Sequence, residues 1–171
     1  MTPRAVKAAL VAFALAAVLA LPARAQTEPP TKTPPPAQFV GVWKILSFTQ
    51  QHVGSPTEIK PYGEHPRGYR VHTAGGRMFY MFFAENRLVA TGAFTDAERI
   101  AWSKTMASAG GSYKIDGDKV TFQPEMSAVE YLKPIVSRFQ VEGDRLTLTT
   151  DPVPDLSGSA LVFRSTWERV E

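Results

Sequence analysis

Tyr113-Lys114-Ile115-Asp116-Gly117-Asp118-Lys119-Val120-Thr121-Phe122 is written a second time as Phe139-Gln140-Val141-Glu142-Gly143-Asp144-Arg145-Leu146-Thr147-Leu148. Each copy runs aromatic, polar, β-branched, acid, Gly, Asp, base, aliphatic, Thr, apolar. A two-residue Gly-Asp loop turns each copy into a hairpin, and glycine at the first loop position supplies the positive φ of a type II′ turn. The pairing then follows: Asp116 with Lys119, Ile115 with Val120, Lys114 with Thr121, Tyr113 with Phe122, and likewise Glu142 with Arg145, Val141 with Leu146, Gln140 with Thr147, Phe139 with Leu148. Side chains alternate across a strand, so every apolar pair falls on one face and the acid–base pairs on the other. A slip of one residue would put all the apolar side chains in water, which fixes the register. Asp116-Gly117-Asp118 reads as turn chemistry, because the other ligands of an EF-hand-type calcium loop are missing.

Outward from the hairpins, more strands and one helix are legible. Residues 39–50 form a long strand that is apolar on both faces: Val40, Val42, Leu46 and Phe48 on one, Phe39, Trp43 and Ile45 on the other. Residues 52–66, with Pro56, Pro61 and Pro66, are loop. Residues 68–73 and 76–83 are strands joined by a tight Ala74-Gly75 turn, and 84–92 is irregular. Thr95-Asp96-Ala97-Glu98 is a capping box. It starts a helix expected over 96–108, ended by Gly110-Gly111 and packed over one barrel end. The stretch 125–133, between Pro124 and Pro134, is strand or turn, 151–159 is loop, and 160–170 is the last strand. The sum is an all-β domain over 39–171 of about eight antiparallel strands with one short helix. Such a set can close up-and-down into a barrel, which leaves no free sheet edge.

The N-terminal stretch is of another kind. Arg4 and Lys7 precede the uncharged run 8–21, and Ala23-Arg24-Ala25 is a small-x-small cleavage pattern, so residues 1–25 read as a signal peptide removed after Ala25. Residues 26–38, with Pro29, Pro30 and Pro34 to Pro36, read as an extended disordered linker. The barrel is therefore expected to be exported, periplasmic or secreted. With no cysteine in the chain, a lipid-anchored cysteine, disulfides and thiol chemistry are excluded, and no stable membrane anchor is expected after cleavage. Of 19 Lys and Arg against 16 Asp and Glu, Arg4, Lys7 and Arg24 belong to the signal stretch, so the mature chain is formally neutral. No basic run remains to follow a phosphate backbone, which argues against nucleic acid as a partner.

Gly41-Val42-Trp43-Lys44-Ile45-Leu46-Ser47 resembles the first-strand G-x-W signature of lipocalins and fatty-acid-binding proteins. Gly68 to Met78, Gly111 to Asp118, Arg138 to Leu148 and Thr166-Trp167-Glu168-Arg169 resemble successive segments of the bacterial lipocalin-like domain family. The resemblance covers nearly all of residues 39–171 and implies a calycin-type barrel. It differs from true lipocalins in a mid-chain helix and the lack of a disulfide. It also implies that Trp43 closes the barrel bottom under a basic residue of the last strand, Arg169, or Arg164 in another register. A cation–π contact there contributes about 0.5–2 kcal/mol.

Chemistry-bearing residues are few. His52, His65 and His72 lack metal-ligand spacing; His52 and His65 sit in the loop, and His72, alternating with Arg70, is expected at the surface or rim. No nucleophile-elbow, zinc-helix or phosphate-loop motif occurs, and nothing calls for a metal or cofactor. Glu125 and Glu130, near Tyr131 and Lys133, are expected on a solvated rim, with a general base at the barrel mouth as the alternative. The candidate ligand-binding set is aromatic: Tyr69, Tyr80, Phe82, Tyr113, Phe122 and Phe139, with Phe79 considered alongside and the inward face of 78–83 left open. Three functions fit: binding of a small apolar molecule inside the barrel, an isomerase or cyclase on the same barrel, or a filled barrel that recognises a protein. The hairpin wall of Tyr113, Ile115, Val120, Phe122, Phe139, Val141, Leu146 and Leu148 carries one hydroxyl and no charge, so any catalytic group must come from the other half or the rim.

Overall fold

A computed structural model describes residues 35–87, 92–128, 132–154 and 158–171. The expected signal peptide, residues 26–34 of the linker, and Glu130 and Tyr131 lie outside them. The strands are β1 (Gly41–His52), β2 (Glu58–Ile59), β3 (Arg67–His72), β4 (Arg77–Phe83), β5 (Met106–Asp116), β6 (Lys119–Ser127), β7 (Ile135–Glu142), β8 (Arg145–Thr150), β9 (Val153–Pro154) and β10 (Ala160–Arg169), with helix α1 (Asp96–Ser103) between β4 and β5. Hydrogen bonding follows the order β1-β3-β4-β5-β6-β7-β8-β10, and β10 returns to β1. Eight long antiparallel strands thus close up-and-down, while the two-residue β2 and β9 append to β1 and β10.

Both hairpins have the register their sequences dictate. Asp116 pairs Lys119 and Tyr113 pairs Phe122; Glu142 pairs Arg145 and Phe139 pairs Leu148. Gly117 and Gly143 sit at φ +58° and +59°, the left-handed region that the turns require. Val120, Phe122, Leu146 and Leu148 are buried in the barrel core, with Ile115, Phe139 and Val141 packed against it.

Two bulges alter the simple alternation. In β1 the extra residue is Leu46: Ile45 faces Trp167 and Ser47 faces Thr166. Trp43 and Ile45 therefore point inward before the bulge and Phe48 after it, which is why this strand is apolar on both faces. In β6 the extra residue is Glu125, since Gly110 faces Met126 and Gly111 faces Pro124. The bulge lies next to Pro124, which has no N–H to donate to the ladder and is tolerated in a sheet at such a position.

That second bulge also overturns the expected helix end. The helix stops at Ser103, and Gly110-Gly111 lie inside β5. A Cβ at Gly111 would stand 2.1 Å from the Gln123 carbonyl oxygen, so the glycine serves close strand approach rather than a helix cap. The capping box does form, with Glu98 N–H donating to Thr95 Oγ1 at 3.3 Å and Thr95 N–H to Glu98 Oε2 at 2.8 Å. The helix buries no residue, so it does not plug the barrel. Its Trp102 instead lies under the Arg87 guanidinium, 3.5 Å from the ring centre.

Candidate ligand-binding site

The closed end is solid. Trp43 is fully buried and its Nε1 donates to the Phe39 carbonyl at 3.2 Å. Arg169 Cζ stands 4.2 Å from the Trp43 ring centre, and its Nη1 donates to the Val40 carbonyl at 2.7 Å. A further Arg169 bond goes to the Gln38 carbonyl, and Phe39 N–H donates to Pro36 at 2.8 Å. Residues 36–39 therefore form an ordered turn that belongs to the barrel bottom, although the sequence places 36–38 in a disordered linker.

His72 belongs to this plug and not to the surface or rim. It is 1% exposed. Its ring stacks on Phe39 with centres 4.0 Å apart, and Nδ1 lies 3.1 Å from the Phe39 carbonyl oxygen. A carbonyl only accepts, so Nδ1 carries the proton and Nε2 is a bare acceptor, buried without a partner. Burial first, and then the charge of Arg70, hold its pKa well below 6.5 despite the Phe39 bond. Tyr113 and Phe139 complete the plug, their rings 5.5 and 4.8 Å from Phe39. The Tyr113 hydroxyl donates to the Thr73 carbonyl at 2.7 Å, and burial pushes its pKa up to about 12. These two expected ligand contacts are thus core.

Above the plug the barrel is hollow. A cavity of about 620 Å³ is walled by Phe48, Phe82, Phe122, Phe163, Ile135 and Trp167, with Leu132, Lys133, Val153 and Leu161 among the residues around it. Tyr80, Phe82 and Phe122 of the expected set line it. Tyr69 does not: it is 54% exposed on the outside of β3, in a shallow outer groove with Phe79 and Met81. The inversion has a plain cause. On β3 the inward residues are Arg70 and His72, so the apolar Tyr69 and Val71 point out.

Arg70 is the residue that sequence reasoning missed. It pairs with Trp43 on one side and Tyr80 on the other, one inward position above His72, and it lines the cavity. Its Cζ lies 5.1 Å from the Tyr80 ring centre and 4.9 Å from that of Trp167. Nε is buried without a partner, and the guanidinium makes no hydrogen bond or ion pair to a described residue. The residue as a whole is half-buried. Burial lowers its pKa to about 10, against a smaller opposing effect of Tyr80, so it stays charged at neutral pH. Burial also raises the pKa of Tyr80 and of Tyr62, keeping both as neutral phenols. The signal that was available is register: Trp43 of the G-x-W motif points inward, and the residue directly across from it must do the same.

The other candidates are elsewhere. Glu125 is exposed and bidentate with Arg77, at 2.6 and 2.7 Å, and that partner holds its carboxyl below the usual range. It faces the outside of the bulge and not the cavity, so the general-base alternative has no support from it. His65 is exposed in the β1–β3 connection, whereas His52, expected in that loop, is the exposed last residue of β1 and pairs with Leu161 of β10.

A closed antiparallel barrel with a solid bottom and a hollow, largely apolar upper half defines a ligand-binding-type fold. The lipocalin-like domain model matches residues 40–170, and the chain belongs to that family. No curated protein and no solved structure matches it.

Proposed function

We propose that this barrel binds a small, predominantly apolar molecule in its interior. The observation that carries the reading is the cavity itself: about 620 Å³, within the range of ligand pockets, and walled by aromatic and aliphatic side chains with few polar groups. The charged group at the deep end of the cavity, Arg70, supports binding over acid–base catalysis, because a guanidinium neither takes nor gives a proton at neutral pH. Displacement of a fluorescent fatty acid, with native mass spectrometry of the purified protein, tests the reading. Ala107 lines the cavity, and Ala107→Phe is expected to fill space and weaken probe binding at least about tenfold while the barrel still folds. Absence of any bound species in the wild type, with no probe uptake, overturns the proposal.

We further propose that the barrel works outside the cytoplasm after cleavage behind Ala25. The basic start, the uncharged run and Ala23-Arg24-Ala25 support this. N-terminal sequencing of the exported protein should begin at Gln26; an intact Met1 in the cytosolic fraction alone would refute it.

A further inference from the structure

We infer that the ligand is an amphiphile with an anionic head, and that Arg70 receives the head at the deep end of the cavity while the apolar chain runs toward the mouth. The inference rests on the cavity being a ligand site. Its first support is the state of Arg70. Buried cations are ordinarily paired with a carboxylate, yet this guanidinium has no ion pair or hydrogen bond with a described residue, and its Nε is buried and unpartnered. The faces of Tyr80 and Trp167 take up part of its charge from the sides. They are not hydrogen-bond acceptors for its N–H fork, which is shaped for a two-oxygen anion.

The second support is the charge of the cavity. Among the described residues that line it, the charged ones are Arg70 and Lys133, and no acid is among them. Tyr62 and Tyr80 stay protonated. The enclosed space thus carries uncompensated positive charge in a low-dielectric wall, where an anion is worth far more than in water. The third support is the gradient along the barrel. Arg70 lies against the solid plug, and Phe82, Phe122 and Phe163 line the space beyond it, where Lys133 is the one other charged residue among the described lining. A headgroup at Arg70 and a chain along these rings satisfies both parts; a wholly neutral apolar ligand leaves the cation bare.

The test uses delipidated protein with hexadecanoate and hexadecan-1-ol, which share a chain and differ in the head. Wild type is expected to bind the acid at least about tenfold more tightly than the alcohol. Arg70→Met should erase that advantage and leave alcohol binding in place, while Lys133→Met should keep most of it. Equal binding of the two probes by wild type overturns the head-group assignment and leaves the apolar-ligand reading standing. An advantage that survives Arg70→Met, or that is lost in Lys133→Met alone, also overturns it. Binding of neither probe defeats the cavity reading and this inference with it. A measurement on wild type alone covers the case in which Arg70→Met does not fold. The NMR titration of carboxyl-labelled hexadecanoate should have its midpoint below that of the free acid, because an adjacent cation favours the ionised head. An unchanged or raised midpoint refutes contact with Arg70.

Discussion

In the ligand-free barrel, Arg70→Met is expected to stabilise the fold. Burial lowers the guanidinium pKa to about 10, and this drop from its ordinary value corresponds to about 3 kcal/mol against the charged form at roughly 1.36 kcal/mol per pH unit. Set against this are the contacts to the Tyr80 and Trp167 rings, together about 2 kcal/mol. Methionine of similar length keeps the packing, tolerates an irregular site and adds no charge. The balance is a gain of about 1 kcal/mol, or a rise in Tm of about 3 °C for a domain of this size. Urea and thermal unfolding of delipidated protein measure it directly. A saturating anionic amphiphile should reverse the order, because it stabilises only the chain that keeps the cation. A loss of more than about 1 kcal/mol on removing Arg70 from the empty barrel would refute the reasoning, since it would mean that the guanidinium is well paired before any ligand arrives.

His72 offers a pH test. Its folded pKa lies well below 6.5, so as pH falls below about 6.5 the unfolded chain takes up a proton that the folded chain refuses. Stability is therefore full above that pH and declines below it, by at most about 1.4 kcal/mol per pH unit, and His72→Phe should flatten the decline in unfolding measured from pH 7 to 5. The glycines separate conformation from collision. Gly117→Ala meets no atom within 4 Å and should cost about 1 kcal/mol through its positive φ alone. Gly111→Ala drives a Cβ to 2.1 Å from Gln123 O and should cost several times more or abolish folding, as circular dichroism and urea unfolding will show. Arg169→Met removes the ring contact to Trp43 and the bonds to Val40 and Gln38. It should cost about 2–3 kcal/mol in the same assay.

The parts of this fold that were legible are those where the pattern of apolar residues carries phase. Two Gly-Asp hairpins with alternating faces set four strands and their registers without ambiguity, and the eight-strand count then leads to closure. Where both faces are apolar the phase is lost. β1 is ambiguous because Leu46 is a bulge, and β4 because Met78 and Phe82 face in while Phe79 and Met81 face out. β3 misleads outright: its inward residues are charged or polar and its outward ones apolar, so alternation assigns Tyr69 to the cavity and His72 to the rim. Only cross-strand pairing with Trp43 reveals Arg70. Gly110-Gly111 have the composition of a helix cap, whereas their use is to let β5 and β6 approach where Glu125 bulges, so the helix is shorter than its sequence suggests. The division of the aromatic set into plug and cavity wall depends on how far up the barrel each ring sits, which no periodicity records.

The solid plug has a consequence for how such a barrel can diverge. Phe39, Trp43, Tyr113 and Leu146, which close and fill the bottom, are not among the residues that wall the cavity. Substitutions at Phe48, Leu161 or Phe163 can reshape the chamber while the bottom still folds the chain. In the proposed ligand-binding role, preference can therefore change at little risk to the scaffold, and the floor cation, Arg70, is the position where the demands of chamber and plug meet.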